Sequence, residues 1–181
     1  MVDADILALL NDAARRQQAF EMIVARYQHK VLRLAFSVLG ERTAAEDATQ
    51  DALLRVWRGL ERFRGASALS TWIYSIARNA ALSVRSARRP LDSLDEPDVR
   101  IAAEPFVAPA AENSTFDVAR LVEALPDAQR EVVILFYLEG KSYIETAAIT
   151  GLPMGTVKTH LHRARKELAM ALESSKARKS A

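Results

Sequence analysis

Apolar residues recur at steps of three and four along two separate stretches of this chain, the spacing that gives an α-helix one buried stripe. In the first stretch Phe20, Ile23, Val24, Tyr27, Val31, Leu34, Ala35 and Val38 define a long amphipathic helix, with Gly40 as its C-terminal stop. Thr43 followed by Glu46 fits a capping box, opening a second helix with Ala45, Ala48, Ala52, Val56 and Leu60 on its inner side. A third helix is expected from near Ser70. The period then stops: between Ser86 and Phe116 lie four of the six prolines, Pro90, Pro97, Pro105 and Pro109, among Asp92, Asp95, Glu96, Asp98, Glu104 and Glu112. Such a segment buries too little to be compact and reads as an extended acidic linker. Beyond it Val118, Leu121, Val122 and Leu125 form a short helix ended by Pro126, and another runs from about Asp127 to Leu138, although its VVILFYL run also has the composition of a buried strand. The pattern predicts an all-α protein of two small helical domains, residues 1–89 and 117–181, joined by a flexible linker over 90–116.

The second block ends in SYIETAAITGLPMGTVKTHLHRARKEL, Ser142 to Leu168, which reads as two helices meeting at a sharp turn. Ala147 is small where two helices approach, Gly151 can take the positive φ of the turn, and Val157 packs back inside, as a helix-turn-helix requires. Pro153 suits the first turn of the next helix, where its missing N–H would be unpaired anyway. In that helix Val157, Leu161, Ala164, Leu168 and Ala171 make one apolar face. Since the second helix of such a motif enters the major groove with its N-terminal residues on base edges, Met154, Thr156, Lys158, Thr159 and His162 are candidate readers. Arg163, Arg165 and Lys166 are placed for phosphates.

Two surfaces stand out in the first block. Glu46, Asp47, Gln50, Asp51, Leu54 and Arg58 lie off the buried seam of the second helix, a polar, partly acidic face suited either to a partner or to plain solvation. Around the loop at Gly65, aromatic and basic residues interleave. Phe63, Trp72 and Tyr74 offer flat faces for unpaired bases, and Arg62, Arg64, Arg78 and Arg85 can follow a phosphate backbone. The alternative is core packing, because Trp72, Ile73, Ile76, Ala77 and Ala80 also form a good buried stripe.

Composition narrows the picture. With 181 residues, half of them apolar, two domains of ~80 residues each sit near the lower limit for an unaided core. The net charge is only +2, so a nucleic-acid surface has to come from local clustering. It does: from Pro153 onward only Glu167 and Glu173 oppose Lys158, Arg163, Arg165, Lys166, Lys176, Arg178 and Lys179. No cysteine is present, which excludes disulfides, thiolate metal sites and cysteine nucleophiles and suits a reducing cytoplasm. Asp3 and Asp5 occupy the place of an export signal's basic head, and the longest apolar run, Val132 to Leu138, is far short of the ~20 residues of a membrane helix. A cytoplasmic protein without membrane insertion is expected. His160 and His162 point to different helix faces, His29 stands alone and no glycine loop cradles phosphate. Neither catalysis nor a metal or other cofactor is expected.

Taken together, AEDATQDALLRVWRGLERFRG and STWIYSIARN in the first block and LPDAQREVVILFYLEGKSYIETAAITGLPMGTVKTHLHRARKEL in the second resemble the two conserved domains of the extracytoplasmic-function (ECF) group of bacterial RNA polymerase sigma factors. The resemblance implies core RNA polymerase, promoter DNA (duplex and unwound) and an anti-sigma factor as partners. By position it implies Asp47, Gln50 and Asp51 at the polymerase clamp helices. It implies Phe63, Arg64, Gly65, Ser67, Trp72, Arg78 and Asn79 at the opened minus-ten element. Thr156, Lys158, Thr159, His162, Arg163 and Lys166 would face the minus-thirty-five duplex. The chain departs from the family's pattern at Thr146, where an aliphatic residue is usual, and at Thr159-His160, where Ser-Arg is usual.

Opening roughly a dozen base pairs costs about 15 kcal/mol at ~1.4 per stacking step, whereas each captured base returns only ~1–3. A chain of this size therefore needs a larger machine to open DNA. GTVKTHL also resembles the recognition helix of LuxR-type regulators. Their usual front half is an α/β phosphoacceptor domain, and residues 17 to 89 keep a helical period throughout.

Overall fold

In a computed structural model of the chain, residues 3–10, 12–88 and 120–179 are described. They belong to two compact units, one from each block of the sequence. The expected linker, residues 90–116, lies outside the described residues.

The first unit contains α1 (Asp3–Leu10), a 3-10 turn (Ala13–Arg15), α2 (Arg16–Leu39), α3 (Arg42–Gly59), a 3-10 turn (Leu60–Arg62) and α4 (Leu69–Arg88). Its core lies where α2, α3 and α4 meet. Ile23, Val31 and Leu34 of α2, Val56 of α3 and Leu69, Ile73 and Tyr74 of α4 are buried there. A fully buried side chain of that size contributes about 1.5–3 kcal/mol, so these few residues carry the unit. Ala44, Ala45, Ala48 and Ala52 do the opposite work: they bury little area, and their shortness lets α3 approach its neighbours closely. Gly40 ends α2 at φ +68°, and its N–H donates to the Phe36 carbonyl at 2.8 Å.

The capping box expected at Thr43 and Glu46 does not form. Helix α3 starts one residue earlier, behind an extended Glu41 with no side-chain cap, and Glu46 instead accepts from Arg42 at 2.9 Å. Thr43 lies inside the helix and so lacks the non-helical backbone of an N-cap, which leaves the Glu46 carboxylate to pair with Arg42 four residues before it.

The second unit begins with a helical turn over residues 120–123, then α5 (Asp127–Val133), which runs on as a π-helical segment (Ile134–Leu138), α6 (Tyr143–Thr150) and α7 (Met154–Lys179). Leu125, Val132, Val133, Val157, Leu161 and Ala164 form its core, with Phe136, Tyr143, Ala147, Leu152 and Leu168 packed around them. The VVILFYL run is helical, and the described residues contain no strand. Its π-type widening carries the Glu139 N–H to the Ile134 carbonyl at 3.0 Å, which turns the chain toward α6.

Thr146 is fully buried at 0% exposure, and its hydroxyl has no hydrogen-bond partner. A stranded buried hydroxyl costs about 1–3 kcal/mol. Thr146→Val keeps the shape and removes the polar atom, so the second unit should gain about 1 kcal/mol. Urea denaturation of the full chain would read this as a higher midpoint for the second unit; a lower one would show that the hydroxyl is satisfied.

Candidate nucleic-acid and partner surfaces

The loop between α3 and α4 is held from below. Arg16, the first residue of α2, lays its guanidinium 4.4 Å from the centre of the Trp57 ring, donates to the Trp57 carbonyl at 2.8 Å and pairs with Glu61. This ties the 3-10 turn to α2. Beyond the turn Arg64 donates to the Glu61 carbonyl at 2.7 Å, Gly65 takes φ +70°, and Ala66, Ser67 and Ala68 are exposed. The rings of Phe63 and Trp72 pack against each other with centroids 5.0 Å apart, and both are half-buried. Trp72 also covers Gly59, where an added Cβ would lie 2.8 Å from the indole. The first unit thus gathers Phe63, Arg64, Gly65, Ser67 and Trp72 around one loop. Arg78 and Asn79 lie about two turns further along α4, half-buried and exposed respectively. Tyr74 is different. It is 1% exposed and meets Tyr27 edge-on at 6.1 Å, so it is a core residue and no base can reach its face.

On α3, Asp47 and Gln50 are exposed and Asp51 is half-buried, with Arg55 bonded to it at 2.8 Å. Leu54 continues the same face at 53% exposure, an apolar side chain among polar ones. Only its position off the alanine seam marked it in the sequence.

In the second unit the helix-turn-helix is locked at both ends of α6. The Ser142 hydroxyl accepts the Glu145 N–H at 3.2 Å while the Glu145 carboxylate accepts the Ser142 N–H at 2.9 Å, a complete capping box. Gly151 closes the helix at φ +68°, and its N–H donates to the Ala147 carbonyl at 2.9 Å. Pro153 sits one residue ahead of α7 and accepts the Val157 N–H at 3.1 Å. With Val157, Leu161 and Ala164 turned into the core, Lys158, Thr159, His162, Arg163 and Lys166 are exposed together at steps of three and four, and Thr156 is half-buried at the near end. Lys158 stands 5.6 Å from the Tyr143 ring centre. Arg165 is exposed as well and bonds the Tyr137 hydroxyl, a neutral partner that raises its pKa and leaves its charge in place.

Burial works against a charge on Glu145, but the two Ser142 hydrogen bonds and Lys141 outweigh it and lower its pKa to about 2. The folded value lies below the unfolded ~4.3. Stability from this group is therefore complete above that value and is lost as the pH falls toward 2. Glu145→Gln should cost about 1 kcal/mol near neutrality and flatten the acid limb of the stability curve. Thermal melts of both proteins from neutral to acid pH would read it, and parallel acid limbs would refute it.

These are two helical surfaces of different chemistry, one an aromatic-and-arginine loop and one a cationic helix behind a sharp turn. The family models that match are Sigma-70 region 2 over residues 23–90 and Sigma-70, region 4 over residues 115–168. The RNA polymerase sigma-H factor of Pseudomonas aeruginosa is 33% identical over 169 residues, 87% of this chain and 88% of that protein. The ECF RNA polymerase sigma-E factor of Escherichia coli K12 is 38% identical over 168 residues, 84% and 85% of the two chains. Among solved structures, the sigma factor RpoE in complex with the anti-sigma factor NepR from Bartonella quintana matches at a TM-score of 0.68 and 29% identity, over 85% of this chain and 96% of that one. CnrH in complex with the cytosolic domain of CnrY matches at 0.63 and 25%, over 93% and 95%.

The chain belongs to the ECF group of RNA polymerase sigma factors. It is a transcription initiation factor, one that binds core RNA polymerase and directs it to particular promoters, and the LuxR-type alternative is not favoured. Members of this family are regulators rather than catalysts. No helix among the described residues is long and apolar enough to cross a membrane.

Proposed function

We propose the following division of labour. The first domain, residues 1–89, docks on core polymerase through Asp47, Gln50 and Asp51 on α3. It captures and helps unwind the minus-ten element through Phe63, Arg64, Gly65, Ser67, Trp72, Arg78 and Asn79. Across the 90–116 linker, the second domain, residues 117–181, reads the minus-thirty-five duplex through Thr156, Lys158, Thr159, His162, Arg163 and Lys166. The chain works in the cytoplasm, has no catalytic residues of its own and is restrained by an anti-sigma factor covering the same surfaces.

The observation that carries this reading is the half-buried Phe63–Trp72 pair beside Arg64. Rings kept half in water at the rim of a loop are placed for stacking, and a neighbouring guanidinium supplies the phosphate contact. Run-off transcription with the full chain and core polymerase across genomic fragments tests it. Discrete transcripts that vanish when either component is omitted are expected. A sequence-selective nanomolar footprint by the chain alone would contradict it.

A further inference from the structure

The exposed cations of α7 fall into two groups. Val157, Leu161 and Ala164 turn one side of the helix into the core, and Thr159, His162, Arg163 and Lys166 occupy the opposite side. Lys158 and Arg165 do not. Almost two full turns apart, they share one flank between the core side and the reading side. A row of aromatic rings borders that flank. Tyr137 stands edge-on to Phe136 at 5.1 Å, and Phe136, which packs on the core, lies against Tyr143 at 4.8 Å. The two cations meet this row in different ways. Lys158 lies over the face of Tyr143, 5.6 Å from its centre, whereas the Arg165 guanidinium is 5.8 Å from the centre of Tyr137 and donates through Nε to the Tyr137 hydroxyl. Tyr137 is 49% exposed, so water could serve its hydroxyl and the core does not require this bond.

We propose that Tyr137 is a specificity-determining residue: by bonding Arg165 it withholds a strong phosphate ligand from the DNA backbone, so that α7 docks on duplex through the side that reads sequence. The inference rests on the assignment of α7 to duplex reading proposed above and adds a residue that acts through its neighbour. Phosphate contacts position a protein on DNA but carry no sequence information. A guanidinium matches phosphate geometry with two parallel N–H bonds. Specific docking is fixed by contacts near the start of the helix, and Arg165 lies about 10 Å beyond Lys158, so the promoter complex gains little from it. Docking on unrelated DNA has no fixed register. There a released Arg165 lets the helix roll onto its flank and adds one contact to every sequence alike. Because the Tyr137 hydroxyl is neutral, the charge stays in place to attract DNA from a distance while the guanidinium is turned toward the ring.

Tyr137→Phe keeps the ring and its packing and removes only the hydroxyl. Binding of the full chain to an unrelated duplex should tighten in this variant, and the gain should grow roughly threefold as salt falls from about 200 to about 50 mM, the signature of one added phosphate contact. Tyr137→Phe combined with Arg165→Ala should return to the wild-type salt dependence, and Arg165→Ala alone should match it too. With core polymerase, run-off transcription should be unchanged in the absence of competitor and about threefold more sensitive to unrelated duplex in the Tyr137→Phe variant. An unchanged salt dependence in Tyr137→Phe overturns the proposal, as does a gain that survives in the double variant or weaker binding to the unrelated duplex. Lys158→Ala with Arg163→Ala is the separate control: wild-type promoter recognition there removes the duplex-reading assignment of α7, whatever Tyr137 does.

Discussion

Alanine at both Phe63 and Trp72 should abolish promoter opening while the chain stays bound to polymerase. Each ring offers about 1–3 kcal/mol of stacking to an unpaired base, so losing both weakens capture by at least about thirtyfold and at most about twenty-five-thousandfold. Permanganate reactivity of unpaired thymines at a start site found by run-off transcription would report the loss directly. Because the two rings also pack on each other, at 5.0 Å, truncation removes some packing as well. Gly59→Ala separates the two effects. Its φ of −83° suits alanine, but the new Cβ would meet the indole at 2.8 Å and push Trp72 aside without removing it. Opening should fall in this variant too, by less than in the double variant. On a template already mismatched over the melted region, both should recover much of their activity. Wild-type reactivity in the double variant would mean that the aromatic pair is only a rim of the core.

Lys158→Ala combined with Arg163→Ala should leave opening of a mismatched template untouched and weaken recognition of the upstream duplex about a hundredfold. Each contact contributes about 1–3 kcal/mol if it reaches a base edge. If it reaches a phosphate, the salt dependence of binding shallows by about one unit per contact. The two cases separate in a salt titration of polymerase-bound chain on promoter DNA. Arg165→Ala provides the contrast. By charge it belongs with its neighbours, yet its guanidinium is bonded to Tyr137, so its removal should weaken binding much less. Equal losses from Arg163 and Arg165 would mean that the cationic helix acts through bulk charge alone.

The helices were legible in the sequence wherever one stripe was apolar and a glycine or proline ended it. Gly40, Gly151 and Pro126 all mark boundaries that the structure keeps. Local competition was less legible. Thr43 and Glu46 have the spacing of a capping box, but Arg42 offers the carboxylate an ion pair that the pattern does not register. At Ser142 and Glu145 the same pattern is realised, with Lys141 adding its charge at 3.2 Å rather than drawing the carboxylate away from the backbone. On α4, Trp72 and Tyr74 are equally plausible platforms by composition. Two residues apart on a helix they point in different directions, and only the packing against Tyr27 decides that Tyr74 is the buried one. Thr146 shows the reverse: its departure from an aliphatic residue was visible in the sequence, but its unpaired hydroxyl required the surrounding core.

The most direct measurement is of unpaired DNA binding by the chain in complex with core polymerase. The strand recovered from a pool of random single-stranded oligonucleotides should be preferred strongly over a scrambled one, with that preference lost on substitution of Phe63 and Trp72 and kept on substitution of Lys158 and Arg163. No preference for any strand, or the same dependence on both pairs of residues, would contradict the account.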